Sequence, residues 1–244
     1  MLLLNYKNFD ELFLDINKKI IEQPDKYVEN INWNQCYLPF TIFESDTCDC
    51  NINLSKLCYT ANKIKILSRT YINKESLQRF KEHLKVCKGT SLTYYFNNTK
   101  PKQGTTGNNG PCIISIVFTK KYRGDKYFTE ANIYYRTTEI NRRFYADLVL
   151  FNLFMKEMPS DLIKIEKFRI IIPKAFFHTK TCLFNLNLFN ANLDIDNEIT
   201  NQIKHHLKRF DEHGLYNYKS IQRIQKHLNN ELQYPEVNMK ELSI

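Results

Sequence analysis

Residues 146–158, ADLVLFNLFMKEM, are apolar on almost every side of a helical wheel. Such a helix has no polar face to offer to water, so it belongs at the centre of whatever fold the chain makes. Pro159-Ser160 ends it, because proline cannot continue a helical hydrogen-bond ladder. The rest of the 244 residues, 43% hydrophobic overall, must supply the wrapping.

Periodicity identifies the pieces. Residues 8–23 place Phe9, Leu12, Phe13, Ile16, Ile20 and Ile21 at helical spacing, with Asn8 or Asp10 as the cap. Asn73 precedes a second helix, KESLQRFKEHLKV, whose stripe is Leu77, Phe80 and Leu84. Residues 27–45 read as extended or irregular, and residues 62–72 fit a strand or a short helix equally well. SLTYYF, CIISIVF (112–118) and FTEANIYYRT are strand patterns, the last two joined as a hairpin through Arg123-Gly124-Asp125. KFRIIIPKAFF is one more strand, and residues 198–213 and 219–233 are surface helices. Residues 97–111, NNTKPKQGTTGNNGP, form the longest stretch with no periodic pattern. The order predicts an α+β fold in a single domain, with a mixed sheet, a long buried central helix and a helical C-terminal extension at 198–233.

A net charge of +9 favours an anionic partner such as a nucleotide, phosphate or nucleic acid, although the basic residues are scattered. The N-terminal MLLLNYKNFDELFL lacks the basic region and long apolar core of a signal peptide, and no membrane-spanning run exists; a cytoplasmic protein without a membrane role is expected. Seven cysteines do not suggest a disulfide framework. Cys36, Cys48, Cys50 and Cys58 lack Cys-x-x-Cys spacing, so reduced thiols are favoured over zinc. His205-His206 reads as a solvated pair, and no metal site is expected. Phosphate-loop, dinucleotide and serine-hydrolase motifs are absent.

The remaining chemistry lies between Gly110 and Met158. Cys112 follows Gly110-Pro111 at a strand start: either a small apolar residue or a nucleophile. Arg136 and Thr137 end the next strand, where a guanidinium and a hydroxyl suit a phosphate. Asp147 stands at the entry to the apolar helix, as an N-cap or as a buried carboxylate in need of a partner.

Pro111-Cys112 before IISIVF, Arg136-Thr137-Thr138-Glu139 after a hairpin, Phe144, and Asp147 before LVLFNLFMKEM resemble the thymidylate synthase superfamily, which includes the deoxycytidylate hydroxymethylases. The core of the resemblance spans residues 74–182. It implies that Cys112 adds to C6 of a pyrimidine nucleoside monophosphate, that Arg136 and Thr137 hold the phosphate, and that Asp147 favours a cytosine-type base. Lys88 stands where the family's Arg-Arg pair serves the partner's phosphate, and His178 near its sugar-binding tyrosine. The resemblance also implies a homodimer and 5,10-methylenetetrahydrofolate as one-carbon donor. The family's N-terminal glutamate and its Asn-x-x-Tyr-Gly segment have no match here, and residues 40–73 are short for a folate site. A second reading keeps the fold but only binds a nucleotide or single-stranded nucleic acid, with KYRGDKYF and NRRFY offering aromatic rings beside cations.

Overall fold

The computed structural model describes residues 1–32, 34–57, 59–96, 112–122, 124–213, 237, 238 and 242, without the side chains of 210–213. The apolar helix is α5 (Arg143–Lys156), and every residue from Phe144 to Phe154 is buried. Aromatic rings lock it in place. Phe144 packs on Phe43 and Tyr135, Phe151 on Phe9 and Phe168, and Phe154 on Tyr94 and Phe96, at centroid separations of 4.8–5.9 Å.

Those rings come from a six-stranded mixed sheet and from α1 (Phe9–Glu22). The strands are β1 (Leu2–Tyr6), β4 (Thr41–Ser45), β5 (Ser91–Tyr95), β6 (Ile113–Thr119), β7 (Phe128–Tyr135) and β9 (Ile163–Ile172), in the spatial order β1-β4-β9-β7-β6-β5. β6 and β7 form the antiparallel hairpin read from the sequence. A second, four-stranded sheet orders β2 (Asn30–Asn32), β3 (Gln35–Leu38), β10 (Ala175–His178) and β8 (Thr138–Glu139). The fold is α+β, as predicted.

Three expectations change. KFRIIIPKAFF is not one strand: β9 and β10 lie in different sheets. Pro173 lies between them, and its missing N–H cannot continue a ladder. Residues 62–72, undecided on pattern, fall almost wholly on α3 (Ala61–Tyr71), capped by Thr60, whose hydroxyl accepts from the Lys63 N–H. The N-terminal LLLNY is a strand, parallel to β4, which the sequence reading did not find.

Asn8 caps α1, accepting from the Glu11 N–H at 2.8 Å. Asp10 is thereby not needed as a cap, and its carboxylate takes the backbone N–H of Asn51 at 2.8 Å and the Tyr145 hydroxyl at 2.5 Å. This ties the first turn of α1 to the loop after β4 and to α5. α4 (Lys74–Val86) buries Leu77, Phe80 and Leu84 as predicted, and α7 (Glu198–His213) follows β10 and the short α6 (Leu186–Phe189). Residues 97–111 and 219–233, read as a loop and a helix, lie outside the described residues.

One face of the large sheet packs on α1 and α5. The other face carries a row in register across all six strands: Leu3, Ile42, Ile171, Tyr134, Ser115 and Tyr95. Leu3 is 54% exposed and Tyr95 68%. No helix among the described residues is long and apolar enough to cross a membrane.

Candidate functional site

Cys112 immediately precedes β6. Its carbonyl accepts the Arg136 N–H at 2.9 Å, so the hairpin brings the two predicted residues side by side. The Cys112 N–H donates to the Tyr71 hydroxyl at 3.0 Å, and one Arg143 Nη donates to the same oxygen at 3.4 Å. Tyr71 is the last residue of α3 and Arg143 the first of α5. Three elements therefore meet on one phenolic oxygen, which keeps its own proton to donate.

Asp147 completes the group. It is fully buried; the Tyr71 hydroxyl and the Arg143 guanidinium lie close enough to favour its charge, but neither carboxylate oxygen makes a hydrogen bond of ordinary geometry. α5 begins at Arg143, so Asp147 is its fifth residue and not an N-cap; the capping alternative is overturned. Burial pushes its carboxyl up to about 7, while the Arg143 charge and the Tyr71 hydroxyl pull the other way. The Cys112 thiol is pushed up to about 11, chiefly by burial and then by the Asp147 charge, with Arg143, Tyr71 and Arg136 opposing. The fully buried Tyr135 hydroxyl, also near Asp147 and Cys112, is unpartnered too. Buried polar atoms without a partner also occur elsewhere in the fold, as at Tyr6, Asn17 and Thr129; those beside Cys112 adjoin a thiol and a guanidinium, which makes this group the candidate site.

Arg143 extends from this group into a surface cleft of roughly 310 Å³, lined also by Leu57, Tyr59, Lys63, Leu67 and Arg142. Three cations and no carboxylate line it, a suitable surface for a phosphate. Arg136, the phosphate ligand implied by the resemblance, is not part of this lining; Arg142 and Arg143 are. Arg142 also pairs with Glu139 at 3.5 Å. Glu139 in turn faces His178, the last residue of β10, whose Nδ1 is buried without a partner and whose basicity is lowered by burial. His178 thus belongs to the wall behind Arg142.

The other predicted residues sit apart. Thr137 is half-buried between β7 and β8. Lys88 is exposed on the loop after α4 and does not act on Cys112, Arg143 or Asp147. His206 corrects another expectation: it is 5% exposed, not a solvated partner of His205. Among the described residues no three His, Cys, Asp or Glu side chains gather as metal ligands; Cys58 lies outside them.

Sequence reading missed Tyr71, Tyr59, Lys63 and the site role of Arg143. The doubled arginine in NRRFY was the available signal, but it pointed to base stacking, whereas Phe144 and Tyr145 are wholly buried. No protein-family model matches the sequence, and no curated protein matches it significantly.

Proposed function

We propose that this chain binds a pyrimidine nucleoside monophosphate in the cationic cleft and that Cys112 attacks C6 of its base, a C5-modifying chemistry like that of the thymidylate synthase superfamily. One observation carries the reading: Cys112, Arg136, Arg143 and Asp147 converge although 35 residues separate the first from the last. The phosphate lies against Lys63, Arg142 and Arg143. Cys112 and Asp147 lie behind the cleft lining, so the base reaches them only once the Tyr71–Arg143 contact opens; the Asp147 oxygens then accept from an exocyclic amine and repel a carbonyl, favouring cytosine over uracil. As the sulfur–C6 bond forms, the C5=C6 electron pair moves to C5, which takes a proton; reversal releases the original C5 hydrogen to water.

At roughly 310 Å³ the cleft lies at the lower end of small-molecule sites and suits one mononucleotide; a folate donor would need further surface beside it. No step is routed through that donor. In this reading a second copy of the chain docks on the open face of the large sheet, along the row from Leu3 to Tyr95.

The state of the thiol favours a second reading, a protein that binds a nucleotide or single-stranded nucleic acid without turning it over. Cys112 is 7% exposed and its thiol is pushed up to about 11, so little thiolate exists at neutral pH. Incubation with dCMP or dUMP tritiated at C5 separates the two. Tritium release that Cys112→Ser abolishes supports catalysis. Thermal stabilisation by mononucleotide without release supports the second reading, and stabilisation only by oligonucleotide, falling steeply with salt, moves it to nucleic acid. Indifference to all of these ligands removes both.

A further inference from the structure

A second cavity, of roughly 730 Å³, lies where α7 meets the connection from β2 to β3. Its walls include Asn34, Asn201, Gln202 and His206, with the carboxylates of Asp196 and Glu198 at one end, and it shares no lining residue with the cationic cleft. The volume is well within the range of small-molecule sites.

The hydrogen bonds around Thr179, itself fully buried, fix what His206 presents. The Thr179 hydroxyl lies 3.2 Å from Gln202 Oε1, 3.5 Å from the Asn34 carbonyl and 3.4 Å from His206 Nε2. The first two are acceptors, and the nearer, Gln202 Oε1, takes its single proton. That arrangement favours the tautomer in which His206 Nε2 carries the hydrogen and donates to the Thr179 oxygen. Nδ1 is left as a bare lone pair, buried and unpartnered. Asn34 Oδ1 is a second buried acceptor without a donor. Such atoms are costly unless something donates to them.

The ligand class follows from charge. His205, Lys180, His178 and Arg209 surround His206 and hold it neutral by repulsion added to burial, which disfavours a cation at that end. An anion is disfavoured at the other end by Asp196 and Glu198. The α7 N-terminus offers it little, because Asn197 Oδ1 already accepts the Thr200 N–H at 2.9 Å. A neutral molecule with several hydroxyls meets both conditions. Each hydroxyl donates to a bare acceptor, and each can accept from the second amide hydrogen of Asn201 or Gln202, whose first hydrogens go to Asp196 and Glu198.

We propose that this cavity binds a neutral polyhydroxylated ligand, a sugar ring either free or as the ribose of a nucleoside, with hydroxyls on the amides of Asn201 and Gln202 and, after a small turn of the two side chains toward the cavity, donating to His206 Nδ1 and Asn34 Oδ1. The proposal is independent of the nucleotide cleft. It is tested on the full chain by titration calorimetry and saturation-transfer NMR with D-glucose, D-galactose, D-mannose, D-ribose, cytidine and deoxycytidine, and with inorganic phosphate and spermidine as charged controls.

The expected result is saturable binding of at least one neutral probe, weakened about tenfold by Asn34→Ala and by His206→Phe and unchanged in Lys88→Ala. Binding of hexoses identifies a free sugar; binding of cytidine but not deoxycytidine identifies a ribosyl diol. If His206→Phe does not fold, Asn34→Ala and the wild-type probe series decide alone. No binding of any neutral probe, tighter binding of phosphate or spermidine, or binding that Asn34→Ala leaves intact overturns the proposal.

Discussion

Replacing Asp147 by asparagine removes a charge that the fold does not accommodate. The carboxyl is fully buried, and burial outweighs the nearby Tyr71 hydroxyl and Arg143 charge, pushing it up to about 7 from the ordinary 3.8. Because the folded value is the higher one, ionisation opposes folding. Below pH 3.8 both states hold the proton and the group is neutral toward stability; as pH rises the unfolded chain ionises first and stability falls, until above pH 7 the loss is complete. With these two values the loss is about 2 kcal/mol at pH 5 and about 4 kcal/mol at pH 8. The amide in Asp147→Asn does not titrate, though burying it unpaired costs about 1–3 kcal/mol at every pH. The stability of Asp147→Asn relative to wild type should therefore rise by about 2–3 kcal/mol between pH 5 and pH 8, whatever the constant offset. Urea unfolding of both proteins at pH 5, 6, 7 and 8 gives the difference directly, and other titrating groups cancel in it. A difference that stays flat across that range would refute the account of Asp147 as an uncompensated buried acid, and with it the argument that its oxygens await a donor from a base.

Tyr71→Phe leaves the Cys112 N–H without an acceptor and detaches Arg143, and should cost about 1–3 kcal/mol in urea unfolding; a neutral outcome would separate Tyr71 from the cluster. Iodoacetamide at pH 8 should alkylate Cys112 at least about a hundredfold more slowly in the native protein than in urea, since burial pushes the thiol up to about 11 against an ordinary value of about 8.5; equal rates by peptide mass mapping would contradict that burial. Tyr134→Glu places a carboxylate on the open sheet row and should convert a dimer to a monomer in sedimentation, whereas a wild type that is already monomeric removes the docking of a second copy.

What the sequence made legible follows from range. α4 and α5 were read because their apolar stripes and their stop signals lie within a dozen residues. β1 was not, because its partner β4 lies about 39 residues downstream and a five-residue strand has no local signature strong enough to stand alone. Tyr71 belongs to the same class. Nothing around SRTYINKES marks that hydroxyl as special, and its importance comes from Cys112 and Arg143, which reach it only after the sheet and α5 have packed.

The predicted residues divide along that line. Cys112 and Arg136 flank the two strands of one hairpin, the first just before β6 and the second just after β7, so chain spacing alone brings them together, and a sequence pattern can carry such a pair. Asp147 and Arg143 are one helical turn apart, so reading one placed the other nearby. Lys88 and His178 were inferred from matching places in a distant family, with no local geometry to hold them, and both fall away from Cys112. What the fold adds is the joint between these two local pairs: α3 ends so that one tyrosine oxygen receives the backbone of the first pair and the guanidinium of the second. A site built this way is only as ordered as the α3–α5 contact. Burial holds the Cys112 thiol up, and the Tyr71–Arg143 bond couples it to its neighbours; in the proposed reading, a nucleotide that draws Arg143 into the cleft would alter Tyr71, Asp147 and Cys112 in one movement.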